Sequence, residues 1–133
     1  AILLIAEALP AGRLMDLMIV ANELTLGCLI EVHGAEALMQ VRSMVEFPHS
    51  QYNIIGVNNR DLSTMKVDIN NTARLADLLE HKMPLVSESG IKTREDVKKL
   101  KKIGVSAVLI GQTLCQSEDI SAKFTELFGE SNF

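Results

Sequence analysis

The feature that most limits what this chain can fold into is a short aliphatic run that stops abruptly on polar groups, repeated along its length. The sharpest case is Ile54-Ile55-Gly56-Val57-Asn58-Asn59-Arg60-Asp61-Leu62, where the run ends in two amides, a guanidinium and a carboxylate. Cys28-Leu29-Ile30-Glu31-Val32-His33-Gly34 and Pro84-Leu85-Val86-Ser87-Glu88-Ser89-Gly90-Ile91 have the same form. Apolar runs of this length, bounded by turn residues, read as buried strands opening into polar loops. With Gly111 included, the polar ends fall at Glu31, Asn58, Glu88 and Gly111, spaced 27, 30 and 23 residues apart. That pitch suits parallel strands alternating with crossover helices. In such folds ligands bind beyond the C-terminal ends of the strands.

The intervening segments carry the helical period. Strands are expected at residues 1–6, 28–33, 53–58, 84–88 and 106–111, the first of them buried on both faces. A helix over 11–25 is marked by Leu14, Leu17, Met18, Ala21 and Leu24, with Gly27 as its stop. A second runs over 35–46 and ends before Pro48. A third starts within 68–72 and turns Leu75, Leu78 and Leu79 to one side. Thr93, with Asp96 three residues on, opens a fourth over 94–103, and residues 119–128 form the last. The pattern is β-α repeated five times, in one domain spanning residues 1–133.

Composition narrows the function classes. With 47% hydrophobic residues, no Trp, four Phe and one Tyr among 133 residues, the core is mostly aliphatic. A net charge of −4 gives no electrostatic footprint for nucleic acid. No apolar run reaches the length of about 18 residues that a membrane helix needs, and a pI near 5.3 suits a cytoplasmic protein. Cys28 and Cys115 are too few for a disulfide framework, and their apolar neighbours point to two buried free thiols. His33, His49 and His81 lack ligand spacing, so no metal site is indicated. Lys92, Lys98, Lys99, Lys101 and Lys102, interleaved with Glu95 and Asp96, read as a solvated helix face. A chain that begins inside a strand without Met reads as truncated or processed.

The strand ends hold the candidate chemistry. A carboxylate at Glu31 or Glu88, next to apolar strand residues, loses hydration and is pushed toward the pKa of a useful general acid or base. Each could equally be a structural carboxylate bonded to a loop. Asn58 and Arg60 share a face if the strand continues, Arg60 offering a planar fork for carboxylate or phosphate. A turn with a surface Arg is the plainer alternative. Ser89-Gly90 and Gly111-Gln112 close the last two strands, where barrel enzymes often bind phosphate through backbone N–H groups. Turn geometry alone would also place glycines there.

Taken in order, ILLIA, LIEVH, IIGVNNRDL, LVSESGI and AVLIGQTL closely resemble the C-terminal half of indole-3-glycerol-phosphate synthase, from its fourth barrel strand to its final helix. The resemblance implies a (β/α)8 barrel that closes the indole ring of 1-(2-carboxyphenylamino)-1-deoxyribulose 5-phosphate in tryptophan biosynthesis. This lyase reaction releases carbon dioxide and water, with no metal or organic cofactor. It implies Glu31 as general acid/base, Asn58 holding a substrate hydroxyl or a catalytic partner, and Glu88 positioning a catalytic lysine and the substrate. Arg60 would face the anthranilate ring. Ser89, Gly90, Gly111 and Gln112 would bind substrate and phosphate, with Leu29, Leu62 and Leu109 lining an apolar pocket. Many members of the family have Glu, and some Ser, at the position of Gln112, and the linker PHSQYN replaces a shorter approach to the next strand.

The first three β/α units of the family are missing here, and with them the lysines of its first and third strands. A full barrel takes about 250 residues. The chain is therefore expected to be inactive alone and to self-associate or pair with a missing N-terminal half-barrel, because an open sheet exposes edges and an apolar face. The alternative function is a catalytically dead half-barrel acting as an assembly or phosphate-binding module.

Overall fold

The computed structural model describes residues 1–45, 53–79 and 83–129. Its strands are β1 (Ile2–Ile5), β2 (Cys28–Val32), β3 (Asn53–Asn58), β4 (Leu85–Glu88) and β5 (Ala107–Leu109). Between and after them lie α1 (Ala11–Glu23), α2 (Ala35–Val41), α3 (Asn70–Ala76), α4 (Arg94–Lys102), α5 (Gln112–Cys115) and α6 (Ile120–Phe128). The five strands form one sheet in the order β1-β2-β3-β4-β5, every neighbouring pair parallel. A doubly wound sheet reverses its strand order at a switch point. This one never reverses, and it is part of a (β/α)8 barrel.

Register decides which side chains meet. Leu4, Ile30, Ile55 and Leu85 lie abreast, and Val32, Val57 and Ser87 follow two residues on. All are buried, and the apolar ones cluster with Leu14 and Met18 of α1, Leu38 of α2 and Leu75 of α3. Each fully buried aliphatic side chain contributes about 1.5–3 kcal/mol. Side chains alternate along a strand, so the opposite face carries a second set of rows. Leu3, Leu29 and Ile54 come first, then Glu31, Gly56 and Val86, then Asn58, Glu88 and Leu109. The helix layer lies on one face, and the polar strand ends lie on the other.

Local signals explain several boundaries. Thr93 caps α4: its Oγ1 accepts the Asp96 N–H (3.2 Å), and Asp96 Oδ2 accepts the Thr93 N–H (2.9 Å). Asp119 caps α6 by accepting the Ala122 N–H. The lysines of the α4 region are exposed, as a solvated face requires.

Four expectations are corrected. β1 is not buried on both faces: Leu4 is buried on the helix side, but Leu3 on the opposite face is 44% exposed. α1 stops at Glu23, two residues short of the expected end, with Leu24 as its C-terminal cap, and the reversal uses Thr25 in a left-handed conformation (φ 57) rather than Gly27. α2 ends at Val41; Glu46, Pro48 and His49, like His81, lie outside the described residues. Cys28 is buried, and its burial raises the thiol pKa, but Cys115 is exposed at the end of α5, a helix with no buried residue. No described helix is long and apolar enough to cross a membrane.

Candidate functional site

β2, β3 and β4 deliver Glu31, Asn58 and Glu88 to one patch of the face opposite the helices. Asn58 and Glu88 are register partners, and Gly56 is the partner of Glu31. All three polar residues are buried. Asn58 Nδ2 donates to Glu31 Oε1 (2.9 Å), and Asn58 Oδ1 accepts the Arg60 N–H (2.9 Å). The amide therefore has one orientation, fixed from both ends. The Asn58 carbonyl accepts from Asn71 Nδ2 (3.3 Å) and pairs with His33 Nδ1 (2.8 Å), which places the ring proton on that nitrogen.

Glu88 leans back over Gly56. A Cβ on residue 56 would collide with Glu88 Oε1 and would lie 3.0 Å from both Glu88 Cδ and Leu29 Cδ1. Only glycine leaves room for this carboxyl. Oε1 is buried and has no hydrogen-bond partner among the described residues. Burial above all, and then the charge and hydrogen-bonding reach of Glu31, raise the Glu88 pKa from 4.5 to about 7. Two ionised carboxylates have no proton to share between them. Protonating one supplies the donor and removes the repulsion.

The loop after β3 folds back on itself. Arg60 bridges to Val67, and Asp61 pairs with Lys66 through the backbone. Asp61 accepts from Ser63 and Thr64, first through the Ser63 hydroxyl (2.6 Å), and these bonds hold its carboxyl well below the usual range. Arg60 Nη2 reaches Gln112 Oε1 (2.8 Å), and Nη1 reaches the Met65 carbonyl (3.3 Å). This contact ties the loop after β3 to the start of α5. Between them, beside the carboxyl pair, lies a cleft of about 400 Å³ lined by Arg60, Ser89, Gly90, Leu109, Gly111 and Gln112 among others. Leu109 is thus at the cleft wall. Leu29 is half-buried beneath Gly56, and Leu62 is half exposed and does not line the cleft.

Residues 1–127 match the family model for indole-3-glycerol phosphate synthase. The chain belongs to this family. Among the synthases it resembles, one from Dehalococcoides mccartyi (strain CBDB1) is 45% identical over 128 residues, covering 96% of this chain and 47% of the relative. Another, from Ruminiclostridium cellulolyticum, is 42% identical over 130 residues, covering 98% and 48%. The chain spans about half the length of the synthases it matches. Among solved structures, a chain of the Amycolatopsis orientalis BexX/CysO complex superposes with a TM-score of 0.60 at 13% identity. That match covers 89% of this chain and 46% of the other, and it bears on the fold alone.

Several neighbours of these strand ends were not singled out by sequence reasoning. Glu7 Oε1 accepts the N–H groups of His33 (2.6 Å) and Gly34 (3.0 Å), anchoring the turn after β2. Asn59, Thr72 and Ser87 form a buried polar cluster behind the strand ends. Their only sequence signal was an amide doublet and two hydroxyl residues, spread over 28 positions.

Proposed function

We propose that this chain carries the carboxyl and phosphate-binding half of an indole-3-glycerol phosphate synthase, a lyase of tryptophan biosynthesis. One observation supports this above others: two buried carboxyls, Glu31 and Glu88, gather at Asn58, and Glu88 immediately precedes Ser89 and pairs in register with Leu109, both of which line the cleft with Gly90 and Gly111. Ring closure with loss of water needs a group that gives and takes a proton near neutral pH. A carboxyl poised at about 7 has both forms available there. Asn58 holds Glu31 in place. Arg60, held by Gln112, supplies a fixed cation at the cleft edge. Backbone groups of the glycine turns suit a phosphate. Leu29 and Leu109 supply apolar surface for an aromatic ring.

No ion pair reaches Glu31 or Glu88 among the described residues. The lysine that the family uses is expected from β/α units beyond this stretch. The purified 133-residue chain is therefore expected to form no indole-3-glycerol phosphate. Mixed with a separately made N-terminal half of the Dehalococcoides relative, it should gain turnover. Turnover by the chain alone would refute the division of labour. Phosphate binding with no turnover in the mixture would favour the other reading, a catalytically silent phosphate-binding half-barrel.

A further inference from the structure

Asn59 is the residue after β3, and alternation turns it away from the carboxyl pair toward α3. Its side chain is fully buried, yet every hydrogen-bonding position on it is used. Oδ1 accepts from the Thr72 N–H (3.1 Å) and from Thr72 Oγ1 (2.8 Å). Nδ2 donates to Ser87 Oγ (3.1 Å) and to the Ser89 carbonyl (3.0 Å). Thr72 Oγ1 and Ser87 Oγ are themselves 2.7 Å apart. The Thr72 N–H can only donate and the Ser89 carbonyl can only accept, so the orientation of the amide is determined. The hydroxyl protons then have one consistent arrangement. Asn59 Nδ2 donates to Ser87, Ser87 to Thr72, and Thr72 back to Asn59 Oδ1. This is a closed ring in which each bond polarises the next.

The ring ends on a strained turn. Ser89 has φ 66, a left-handed conformation costly for a residue with a Cβ, and Gly90 follows with φ 77. The Asn59 backbone N–H also holds the Glu88 carbonyl (2.8 Å). One residue thus grips Glu88 by its backbone and Ser89 by its carbonyl. Ser89 and Gly90 line the cleft. Aspartate lacks the two donors, and serine lacks the reach to span β4 and α3 at once.

We infer that Asn59, through its hydrogen-bonded ring with Thr72 and Ser87, is a positioning residue that holds the Ser89-Gly90 turn in its anion-binding shape. This rests on the reading of the cleft as a phosphate site. Thr72 touches neither the cleft nor the carboxyl pair, which makes it the discriminating position. Thr72→Val keeps the side-chain shape and breaks the ring, whereas Thr72→Ser keeps the ring. Titrating the 133-residue chain with inorganic phosphate, read by the amide NMR signals of Ser89, Gly90 and Gly111, separates the possibilities. Thr72→Val should move the Ser89 and Gly90 signals before any phosphate is added and weaken binding about tenfold, the effect of one hydrogen bond. Thr72→Ser should stay within about twofold of the parent. Asn59→Asp, where it folds, should act at least as strongly as Thr72→Val. Unmoved Ser89 and Gly90 signals in Thr72→Val would overturn the inference, and so would equal effects from Val and Ser, which indicate packing. If the parent chain ignores phosphate while the signals still respond to Thr72→Val, the phosphate reading fails and the positioning role stands.

Discussion

Replacing Gly56 with alanine tests the carboxyl site most directly, because the added methyl group occupies the space of Glu88 Oε1. Overpacking of this kind costs about 1–3 kcal/mol. Loss of glycine freedom in the unfolded chain returns about 0.4–1 kcal/mol. The net cost is then about 1–2 kcal/mol with Glu88 protonated. The ionised state differs. Glu88 has its pKa raised from 4.5 to about 7 in the folded chain. Between those values the folded state holds more protons than the unfolded one, so stability falls as pH rises through that window and is level on either side. A shift of that size corresponds to about 3 kcal/mol, which screening and local relaxation reduce to about 1–2 kcal/mol. In Gly56→Ala the displaced carboxyl reaches water and recovers its hydration. The variant should therefore be less stable than the parent by about 1–2 kcal/mol at pH 4.5, about equal to it at pH 8, and nearly independent of pH between. Urea unfolding followed by circular dichroism at both pH values measures this. The same deficit at both pH values, or a parent whose stability does not fall from pH 4.5 to 8, would refute the assignment of a buried, proton-retaining Glu88.

Two further outcomes follow from the same geometry. Asn58→Asp replaces the donor to Glu31 with a third carboxyl and should cost about 2–3 kcal/mol at pH 8 and less at pH 5, again by urea unfolding; an unchanged midpoint would show that the Asn58–Glu31 bond carries no weight. Among the described residues the sheet leaves β1 and β5 with one partner strand each, and open edges of this kind pair with other chains. With Leu3 at one sheet edge and Ile120 and Phe124 of α6 exposed, light scattering after size-exclusion should report a mass above 14.6 kDa, and a clean monomer peak would refute this.

What could be read from the sequence was local or periodic. The capping box at Thr93 needs only residues three apart. The convergence of Glu31, Asn58 and Glu88 follows from strand pitch, because equivalent ends of parallel strands meet. The missed features depend on facing and fit. Gly56 looks like an ordinary strand residue until the side chain of Glu88 is seen lying across it. Thr72 and Ser87 become partners only once α3 is laid against β4. Cys115 has one apolar neighbour in sequence, Leu114, with Thr113, Gln116 and Ser117 around it, and the short helix α5 buries no side chain. Thr25 takes the left-handed turn expected of Gly27 because α1 ends before glycine is reached.

Asn58 and Asn59 show how one strand serves two ends. They are adjacent and chemically identical, yet they face opposite layers. Asn58 spends its amide on Glu31 and on the Arg60 N–H, on the side of the cleft. Asn59 spends all four positions on the scaffold behind it. A one-residue slip of β3 would exchange their faces, since strand side chains alternate. Asn59 would then lose four bonds, Thr72 would be left with its N–H and its hydroxyl proton unpaired and only its contact with Ser87 remaining, and Gly56 would no longer lie under Glu88. Each such unpaired group costs about 1–3 kcal/mol. The buried ring thus penalises the slipped register more heavily than apolar contacts alone would, because aliphatic residues on both faces of β3 could repack. Holding β3 in register is therefore the same act as keeping Asn58 against Glu31.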